Sequence, residues 1–257
     1  PNERQARLSF VQNAGARFVP SNYIGNLLST VAPRQLTWQM IENGIQPTAF
    51  CSWQIVEQQS TETFQIAIIG AVGPGKGLHI LEGIARALPP EVRLVVIGYA
   101  DGKLEPGWLI PNRIWVHGAF EVHELPSLVK RYRAELAFFP NIRPESYCYA
   151  LSDAWCAGLP ALGPGSGAIG ERITQCGAGW TFTPNSDTKM LADTILSCLR
   201  AVEIPRKRVR FAVGQLSSCQ EMVTALNHHY NQCNRAEWLS PNLTAVEITA
   251  ATHLNSA

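Results

Sequence analysis

The segment with the strongest structural signal is Phe64-Gln65-Ile66-Ala67-Ile68-Ile69-Gly70-Ala71-Val72-Gly73-Pro74-Gly75-Lys76-Gly77. Its apolar first part predicts a buried strand that ends at Gly70. A glycine-rich loop follows, and from His79 to Leu88 apolar residues recur at helical spacing until two prolines end the helix. A strand, a glycine-rich loop and a helix in this order expose backbone N–H groups at a helix N-terminus, which is a natural phosphate site.

The same alternation of apolar runs and helical patterns continues along the chain. Further buried strands are predicted at 92–97, 113–117, 135–139, 159–162 and 179–182. Helices are predicted at 125–132, 147–157, 168–176 and 187–202, with Gly158 as a C-terminal cap. Buried strands separated by helices favour a parallel sheet covered by helices on both faces, so residues 64–202 are expected to form one complete α/β domain. Ligands bind such sheets at the carboxyl ends of the strands.

The two ends of the chain have weaker patterns. In front of the domain, strands are predicted at 16–20 and 36–41, with a helix at 21–30 that begins at the N-cap Ser21. Residues 203–233 have a helical pattern, and the stretch from Trp238 onward is interpreted as a partly disordered tail. The front part is too short to bury a sheet by itself.

Composition excludes several classes of protein. The 257 residues are 46% hydrophobic and 16% charged, which is not the composition of a disordered chain. A net charge of +1 does not favour general nucleic-acid binding, and no apolar run approaches the roughly 20 residues of a membrane-spanning helix. Because the chain begins at Pro1, without an initiator Met or a signal-like segment, we expect it to be a piece of a longer protein.

Cysteine and histidine spacing does not predict a metal site. The seven cysteines include no C-x-x-C pair, and the six histidines show no ligand pattern. His228 and His229 are adjacent, so on a helix they point to different faces. We therefore expect no metal, and we interpret the thiols as buried and reduced, as in a cytoplasmic protein.

The glycine-rich loop allows three interpretations. Gly70 to Lys76 fits the P-loop pattern G-x-x-x-x-G-K, but Gly77 occupies the Ser/Thr position that would bind Mg²⁺, and no apolar strand ends in an aspartate. The dinucleotide-binding pattern G-x-G-x-x-G, if it began at Gly73, would need a glycine where Leu78 stands. A diphosphate site, a P-loop nucleotide hydrolase and a tight turn with a solvated lysine remain open.

The segment Pro144 to Pro160 carries two carboxylates eight residues apart. Glu145 lies just before the predicted helix N-terminus, where free N–H groups can hold an anion. Asp153 is expected about two turns along that helix, facing the same cleft. Taken alone, each is also explained as an ordinary helix-start carboxylate or exposed helical acid.

Together, these motifs resemble the donor-binding half of the GT-B glycosyltransferases, specifically the retaining enzymes of glycosyltransferase family 4. The family's E-x7-E motif corresponds to Glu145-x7-Asp153, and its G-x-x-x-x-x-K-G loop to Gly70 through Gly77. Its G-G-x-P-E turn is loosely matched by residues 167–171, and the segments 18–23 and 41–45 resemble its v-P-S-x-y and i-P-N-G-i-D motifs. The resemblance covers about residues 16–202.

The resemblance implies both fold and function. It implies a Rossmann-like donor-binding domain at 46–202, which is one half of a GT-B fold, a remnant of the N-terminal acceptor domain at 1–45, and a C-terminal helix and tail at 203–257. The implied activity is transfer of a sugar from a nucleotide-sugar donor to a glycan or lipid-linked acceptor, as in polysaccharide biosynthesis, with retention of configuration and without a metal cofactor. Peripheral membrane contact would involve the missing domain. A nucleotide-binding regulatory module without transferase activity is the alternative.

The resemblance also assigns roles to individual residues. Lys76 would neutralise the donor diphosphate and Glu145 would bind sugar hydroxyls, so these two are the predicted catalytic residues. Asp153 would bind the ribose hydroxyls. The other predicted donor-binding residues are Gly73, Pro74, Gly118, Phe120, Ser146, Tyr147, Cys148 and Tyr149. Of these, the amides at 147–149 would contact sugar and phosphate, and the 118–120 loop would lie near the base.

Two residues depart from the family pattern. Ala71 stands where the family usually has an arginine, so one cation is missing from the predicted diphosphate site, and Arg143 is a candidate to replace it. Asp153 is one methylene shorter than the family's glutamate.

Overall fold

The structure is a computed structural model that describes residues 3–32, 36–46 and 63–232. Its strands are β1 (Phe18–Val19), β2 (Gln39–Met40), β3 (Phe64–Ile69), β4 (Val92–Ile97), β5 (Gly107–Ile110), β6 (Ile114–Val116), β7 (Ala134–Phe138), β8 (Ala161–Pro164) and β9 (Gly179–Phe182). β1 and β2 form a small parallel sheet, and the others form a seven-stranded sheet in the order β5-β6-β4-β3-β7-β8-β9. All neighbours in the larger sheet are parallel except β5 and β6.

Helices connect and cover these strands. They are α1 (Glu3–Asn13), α2 (Asn22–Val31), α3 (Leu78–Ala87), α4 (Leu125–Tyr132), α5 (Tyr149–Cys156), α6 (Gly167–Cys176), α7 (Thr188–Arg200), α8 (Glu203–Gly214) and α9 (Cys219–Gln232). Each strand and helix predicted within 64–202 is present, with its ends within two residues of the prediction. The predicted α/β fold with a mainly parallel sheet is therefore confirmed.

Both faces of the large sheet are buried, as the continuous apolar runs predict. In β4, Val95 and Ile97 face a core cluster that includes residues of α4, α5, α6 and α8. Leu94 and Val96 face the opposite cluster, which includes residues of α3 and α7. Alternate residues of one strand thus enter two separate cores, which explains why the last four residues of β4, 94–97, are all apolar instead of alternating.

Some elements lack the signals used for prediction. β5 is a short antiparallel edge strand whose pairing with β6 shifts register between Trp108 and Ile110, and its apolar run is only three residues long, 108–110. The helical stretch predicted at 203–233 is two helices, separated at residues 215–218. The tail predicted from residue 238 lies outside the described residues.

The first and last described segments pack together. Phe18 of β1 contacts the rings of His229 and Tyr230 on α9, with centroids 5.7 and 5.6 Å apart. Ile45 forms a backbone bridge with Ser218 at the start of the same helix. Ser21 caps α2, as predicted, by accepting a hydrogen bond from the amide of Ile24. The domain boundary proposed at residue 46 adjoins the undescribed stretch 47–62, and the domain limits remain a prediction.

Gly77 fixes the glycine-rich loop (residues 70–77) against the strand next to it. It has a left-handed φ of +83°, and a Cβ placed there would collide with the carbonyl oxygen of Pro140, just after β7. Gly75 has neither restriction, because its φ is not positive and its hypothetical Cβ meets no atom within 4 Å.

We expect Gly77→Ala to lower the free energy of unfolding by at least about 2 kcal/mol, since left-handed strain and overpacking add. Gly75→Ala, two residues away, should change it by less than about 0.5 kcal/mol. Urea denaturation of both variants measures the difference. Equal stabilities would contradict the close packing of this loop.

Candidate functional site

The carboxyl ends of the parallel strands meet at one edge of the large sheet, where the predicted site residues are concentrated. The amide of Gly70, after β3, donates to the carbonyl of Ile97 at 2.8 Å, and the amide of Gly118, after β6, donates to that of Gly98 at 2.8 Å. These bonds hold the loops after β3, β4 and β6 side by side. The contact of Gly77 with Pro140 adds the loop after β7.

The glycine-rich loop presents unpaired amides and a lysine at this edge. Pro74–Lys76 form a 3₁₀ turn in which the carbonyl of Gly73 accepts from the amides of Lys76 (3.0 Å) and Leu78 (3.2 Å). Within the described part of the chain, the amides of Gly73 and Gly75 have no acceptor. Since α3 begins directly after the loop, its positive end adds to a site suited to an anion.

Lys76 and Glu145, the two predicted catalytic residues, form one site. Lys76 Nζ lies 3.8 Å from Glu145 Oε1, although the two residues are far apart in sequence. The lysine side chain is 57% exposed and the glutamate 27% exposed. Asn141 Nδ2 also donates to Glu145 Oε1 at 2.7 Å. Because an exposed ion pair of this length contributes little to stability, the lysine can exchange its partner for a ligand anion.

The acidic loop (residues 141–148) is held from two sides. On one side, the carbonyl of Glu145 accepts from the amide of Ala168 at 3.0 Å, at the start of α6. On the other, Ser21 Oγ donates to the carbonyl of Ser146 at 2.9 Å. Ser21 is 3% exposed, so this bond is shielded from water. The loop that carries Glu145 is thus clamped between α6 and the N-terminal segment.

The start of α5 corrects two details of the sequence-based interpretation. The helix begins at Tyr149, two residues later than predicted, because Cys148 has a left-handed φ of +72° that a helix cannot contain. Glu145 therefore lies four residues before the helix, and Asp153 lies about one turn along it, where two turns were predicted.

The backbone amides around this turn are unpaired. Among the described residues, none accepts a hydrogen bond from the amides of Tyr147, Cys148 and Tyr149. The side chain of Tyr149 is 53% exposed, whereas that of Tyr147 is buried and contacts it edge-on at 5.1 Å. Burial raises the pKa of Tyr147, with the Arg172 cation opposing the shift.

Asp153 occupies a different environment from Glu145. It is half-buried and lies four residues after Tyr149, so the two share a helix face. Burial raises the pKa of Asp153 to about 6, and the Arg172 cation limits the rise. In the described part of the chain, no hydrogen bond or ion pair joins Asp153 to Lys76 or Glu145.

The remaining predicted site residues lie at the same edge of the sheet. Gly73 is half-exposed and Pro74 is exposed. Gly118 is buried with a φ of +93°, and Phe120 is half-buried against the core. Arg143, the candidate replacement for the missing family arginine, is exposed.

His117 was not singled out by sequence, yet it shapes the approach to Gly118. Its Nδ1 lies 2.8 Å from the hydroxyl of Tyr132, which also accepts from Trp115 Nε1 at 3.2 Å. Burial, followed by the Arg131 cation, lowers the pKa of His117. The lowered pKa leaves the ring neutral at pH 7, and its Nδ1 shares a hydrogen bond with the Tyr132 hydroxyl.

Arg172 is the most heavily bonded residue that the sequence analysis missed. It is 7% exposed on α6, and its guanidinium contacts the acidic loop, α5 and Glu42. The only sequence signal was its position directly after Glu171, in the turn that resembles the family's G-G-x-P-E. Glu171 itself accepts from the amides of Asn22 and Tyr23 at 3.1 and 2.7 Å, at the start of α2.

The described residues were also compared with the predictions for metal sites, membrane spans and cysteines. They contain no group of three or more His, Cys, Asp or Glu side chains that could hold a metal ion. Their helices are all too short or too polar to cross a bilayer. The described cysteines are free thiols, of which Cys148 and Cys219 are only partly buried, contrary to the prediction. Burial raises the pKa of Cys148 to about 11, so its sulfur is protonated at neutral pH.

Comparison with known proteins gives one family match and several solved structures of similar fold. The family described as "Glycosyl transferases group 1" matches residues 53–212, and no curated protein matches the chain. Among solved structures, HepE of Anabaena, in complex with UDP and glucose, is 17% identical with a TM-score of 0.67, over 89% of this chain and 67% of its own. The sucrose-phosphate synthase of Thermosynechococcus elongatus is 17% identical with a TM-score of 0.70, over 90% of this chain and 61% of its own.

A third similar structure is WaaG, a glycosyltransferase involved in lipopolysaccharide biosynthesis. It is 17% identical with a TM-score of 0.60, over 81% of this chain and 60% of its own. The chain thus spans between three fifths and about two thirds of these proteins. At such low identity the likenesses establish the fold, which is that of a GT-B glycosyltransferase. Since the family match extends over more than half of the 257 residues, the chain belongs to the group 1 glycosyltransferases.

Proposed function

We propose that this chain is the donor-binding part of a retaining glycosyltransferase that transfers a sugar from a nucleotide sugar to a glycan or lipid-linked acceptor. The proposal is carried by one observation: Lys76 and Glu145 lie 3.8 Å apart at the carboxyl edge of the sheet, between two loops with unpaired amides. A donor has an anionic diphosphate next to a polyhydroxylated sugar. Such a molecule needs a cation, N–H donors and a carboxylate within a few ångströms of one another.

Lys76 would act on the leaving group. When the bond between the anomeric carbon and the diphosphate oxygen breaks, negative charge collects on the departing phosphate and the sugar gains oxocarbenium character. A lysine cation and fixed amides stabilise that charge without rearranging, which lowers the barrier. The amides of Gly73, Gly75, Cys148 and Tyr149 are the available donors in the described residues.

Glu145 would hold the sugar. Its carboxylate accepts hydrogen bonds from sugar hydroxyls, and its bond from Asn141 at 2.7 Å orients it. Asp153 would bind the ribose hydroxyls, and the loop at Gly118–Phe120 would lie near the base. HepE, which shares the fold, has been crystallised with UDP-glucose, and this favours a nucleotide sugar as the first ligand to test.

The acceptor would bind a domain that precedes the described fold, and membrane contact would also belong there. This chain on its own would bind donor and turn over poorly, because transfer takes place between two domains. The predictions that the reaction needs no metal and takes place in the cytoplasm belong to the same proposal.

Ala71 favours one alternative, a nucleotide-binding regulatory module without transferase activity, because it removes a cation from the predicted diphosphate site. Membership of a glycosyltransferase family argues against the P-loop hydrolase. So does Gly77, whose left-handed backbone and contact with Pro140 leave no room for the Ser or Thr that a P-loop requires.

A thermal-shift screen with UDP, GDP, ADP, dTDP and their sugar conjugates tests donor binding. A ligand that binds the folded chain raises its stability by RT ln(1 + [L]/Kd). We expect one nucleotide series to raise the melting temperature, and sugar release by the full-length protein to separate the enzyme from the regulatory module. No shift with any nucleotide would overturn the proposal.

Lys76→Ala should weaken binding of the nucleoside diphosphate at least about tenfold, because a charge-assisted hydrogen bond contributes about 1.5–3 kcal/mol. Lys130→Ala is the control, since Lys130 is an exposed lysine in the last turn of α4, towards the amino edge of the sheet. Isothermal titration calorimetry compares the variants. Equal affinities for Lys76→Ala and wild type would count against the assignment.

Glu145→Gln should leave affinity for the bare nucleoside diphosphate within about twofold but remove most of the extra affinity given by the sugar. The amide keeps the shape while losing the charged acceptor. Calorimetry with UDP and UDP-glucose, or the pair selected by the screen, measures the two affinities separately. Glu91→Gln, at an exposed turn before β4, is the matched control. A parallel loss of affinity for both ligands would show that Glu145 does not contact the sugar.

Asp153 should make the unliganded chain less stable as pH rises. Its pKa is about 6 in the folded chain against 3.8 ordinarily, so the folded state holds the proton more tightly. The resulting stability is fully present below pH 3.8 and is lost as pH rises through 6. The free energy of unfolding of Asp153→Asn, relative to that of wild type, should therefore increase by up to about 3 kcal/mol as pH rises from 4 to 7. Urea denaturation at each pH measures this difference. A difference independent of pH would contradict the raised pKa.

A further inference from the structure

Arg172 contacts both carbonyls of the turn that leads into α5. Its Nη1 donates to the carbonyl of Tyr147 and to that of Cys148, each at 3.1 Å. Its Nη2 donates to Ser152 Oγ at 2.7 Å. The guanidinium also lies 4.2 Å from the ring centroid of Tyr147 and 5.1 Å from that of Trp155. The side chain is therefore fixed in position as well as buried.

These bonds help to fix which way the amides of the turn point, together with the amide of Leu151, which also donates to the carbonyl of Cys148 at 3.2 Å. The peptide bonds from Tyr147 to Cys148 and from Cys148 to Tyr149 are trans, so each N–H points opposite to the carbonyl in the same plane. Since Nη1 holds both carbonyls on its own side, the amides of Cys148 and Tyr149 face away from Arg172. These are two of the unpaired amides of the site.

The same bonds stabilise an unfavourable backbone conformation. Cys148 has φ +72° and ψ +85°, a region that residues with a Cβ rarely adopt. An isolated loop would relax towards an ordinary conformation and rotate both peptide planes. A planar guanidinium with paired donors suits two adjacent carbonyls, whereas a lysine ammonium cannot reproduce that fork.

Glu42 connects this arrangement to the N-terminal segment. Its Oε1 lies 3.6 Å from Arg172 Nη2 and accepts a hydrogen bond from the Tyr147 hydroxyl at 3.1 Å. Removing the carboxylate partner of a buried arginine strongly destabilises the folded state, because it leaves a buried charge unpaired. The N-terminal segment thus holds the arginine from one side while the acidic loop binds it from the other.

We propose that Arg172 is a positioning residue for donor binding: it turns the amides of Cys148 and Tyr149 towards the diphosphate, and Glu42 holds it in place. This inference rests on the proposed function of the site. Under this proposal, residues 36–46, which precede the large sheet in the sequence, belong to the donor site although they need not touch the donor. It also explains why the non-glycine Cys148 retains a left-handed conformation.

The test compares Arg172→Lys and Glu42→Gln in the full chain. Arg208→Lys is the matched control, since Arg208 also donates to a carbonyl (Cys176, 3.2 Å) and lies 4.9 Å from a ring centroid (Phe211). Calorimetry uses whichever of UDP, GDP, ADP and dTDP binds wild type most tightly, at a temperature where all variants are folded. We expect Arg172→Lys to bind at least tenfold more weakly, Glu42→Gln at least threefold more weakly, and Arg208→Lys within twofold of wild type.

A purely structural role would lower the melting temperature of Arg172→Lys but leave its affinity within twofold of wild type, and that result overturns the inference. If Arg172→Lys does not fold, an unchanged affinity of Glu42→Gln overturns it. The amide ¹H–¹⁵N resonances of Cys148 and Tyr149 in the unliganded chain give an independent readout. If wild type binds no nucleotide, the proposed donor function fails, and the positioning role is judged from these resonances alone. Chemical-shift changes of the two amides in Arg172→Lys or Glu42→Gln support the positioning role. Unchanged chemical shifts overturn it.

Discussion

Both faces of the large sheet are buried, and this limits where polar groups can lie. With cores on either side, as β4 shows through Val95 and Val96, the sheet has no polar face on which to place a ligand. Polar groups can collect only where the strands end. Because all strands of this sheet except β5 are parallel to one another, their carboxyl ends lie together and bring Lys76 to Glu145 across a long stretch of sequence.

The edge becomes a defined site because its loops are held rigidly. Gly77 permits the glycine-rich loop to approach Pro140, while Gly98 permits β4 to approach the backbone of Gly70. The acidic loop has no such glycine at its critical turn. There Arg172 supplies hydrogen bonds to two carbonyls, and Ser21 supplies one to the carbonyl of Ser146. Glycines thus fix the shape of the glycine-rich loop, and side-chain hydrogen bonds fix that of the acidic loop. Both loops present amides that donate to no acceptor among the described residues.

The sequence predicted the sheet well because each of its buried strands is a short apolar run ended by glycine or proline. Lys76 and Glu145 could also be identified, since they lie in ordered motifs around those strand ends. Arg172 could not, because a buried arginine resembles an exposed one in sequence, and its partner Glu42 is distant along the chain. The start of α5 was misplaced for a related reason: a left-handed Cys148 is stabilised by tertiary bonds that no local pattern reveals.

An NMR titration of the ¹⁵N-labelled chain shows whether the two loops at one edge of the sheet form the donor site. UDP-glucose, or the nucleotide sugar selected by thermal shift, is added stepwise while all backbone amides are followed. We expect saturable shifts concentrated at Gly73, Gly75, Cys148 and Tyr149, with smaller ones at 118–120. Shifts concentrated elsewhere, such as along α8 and α9, or no saturable shift with any nucleotide sugar, would contradict this expectation.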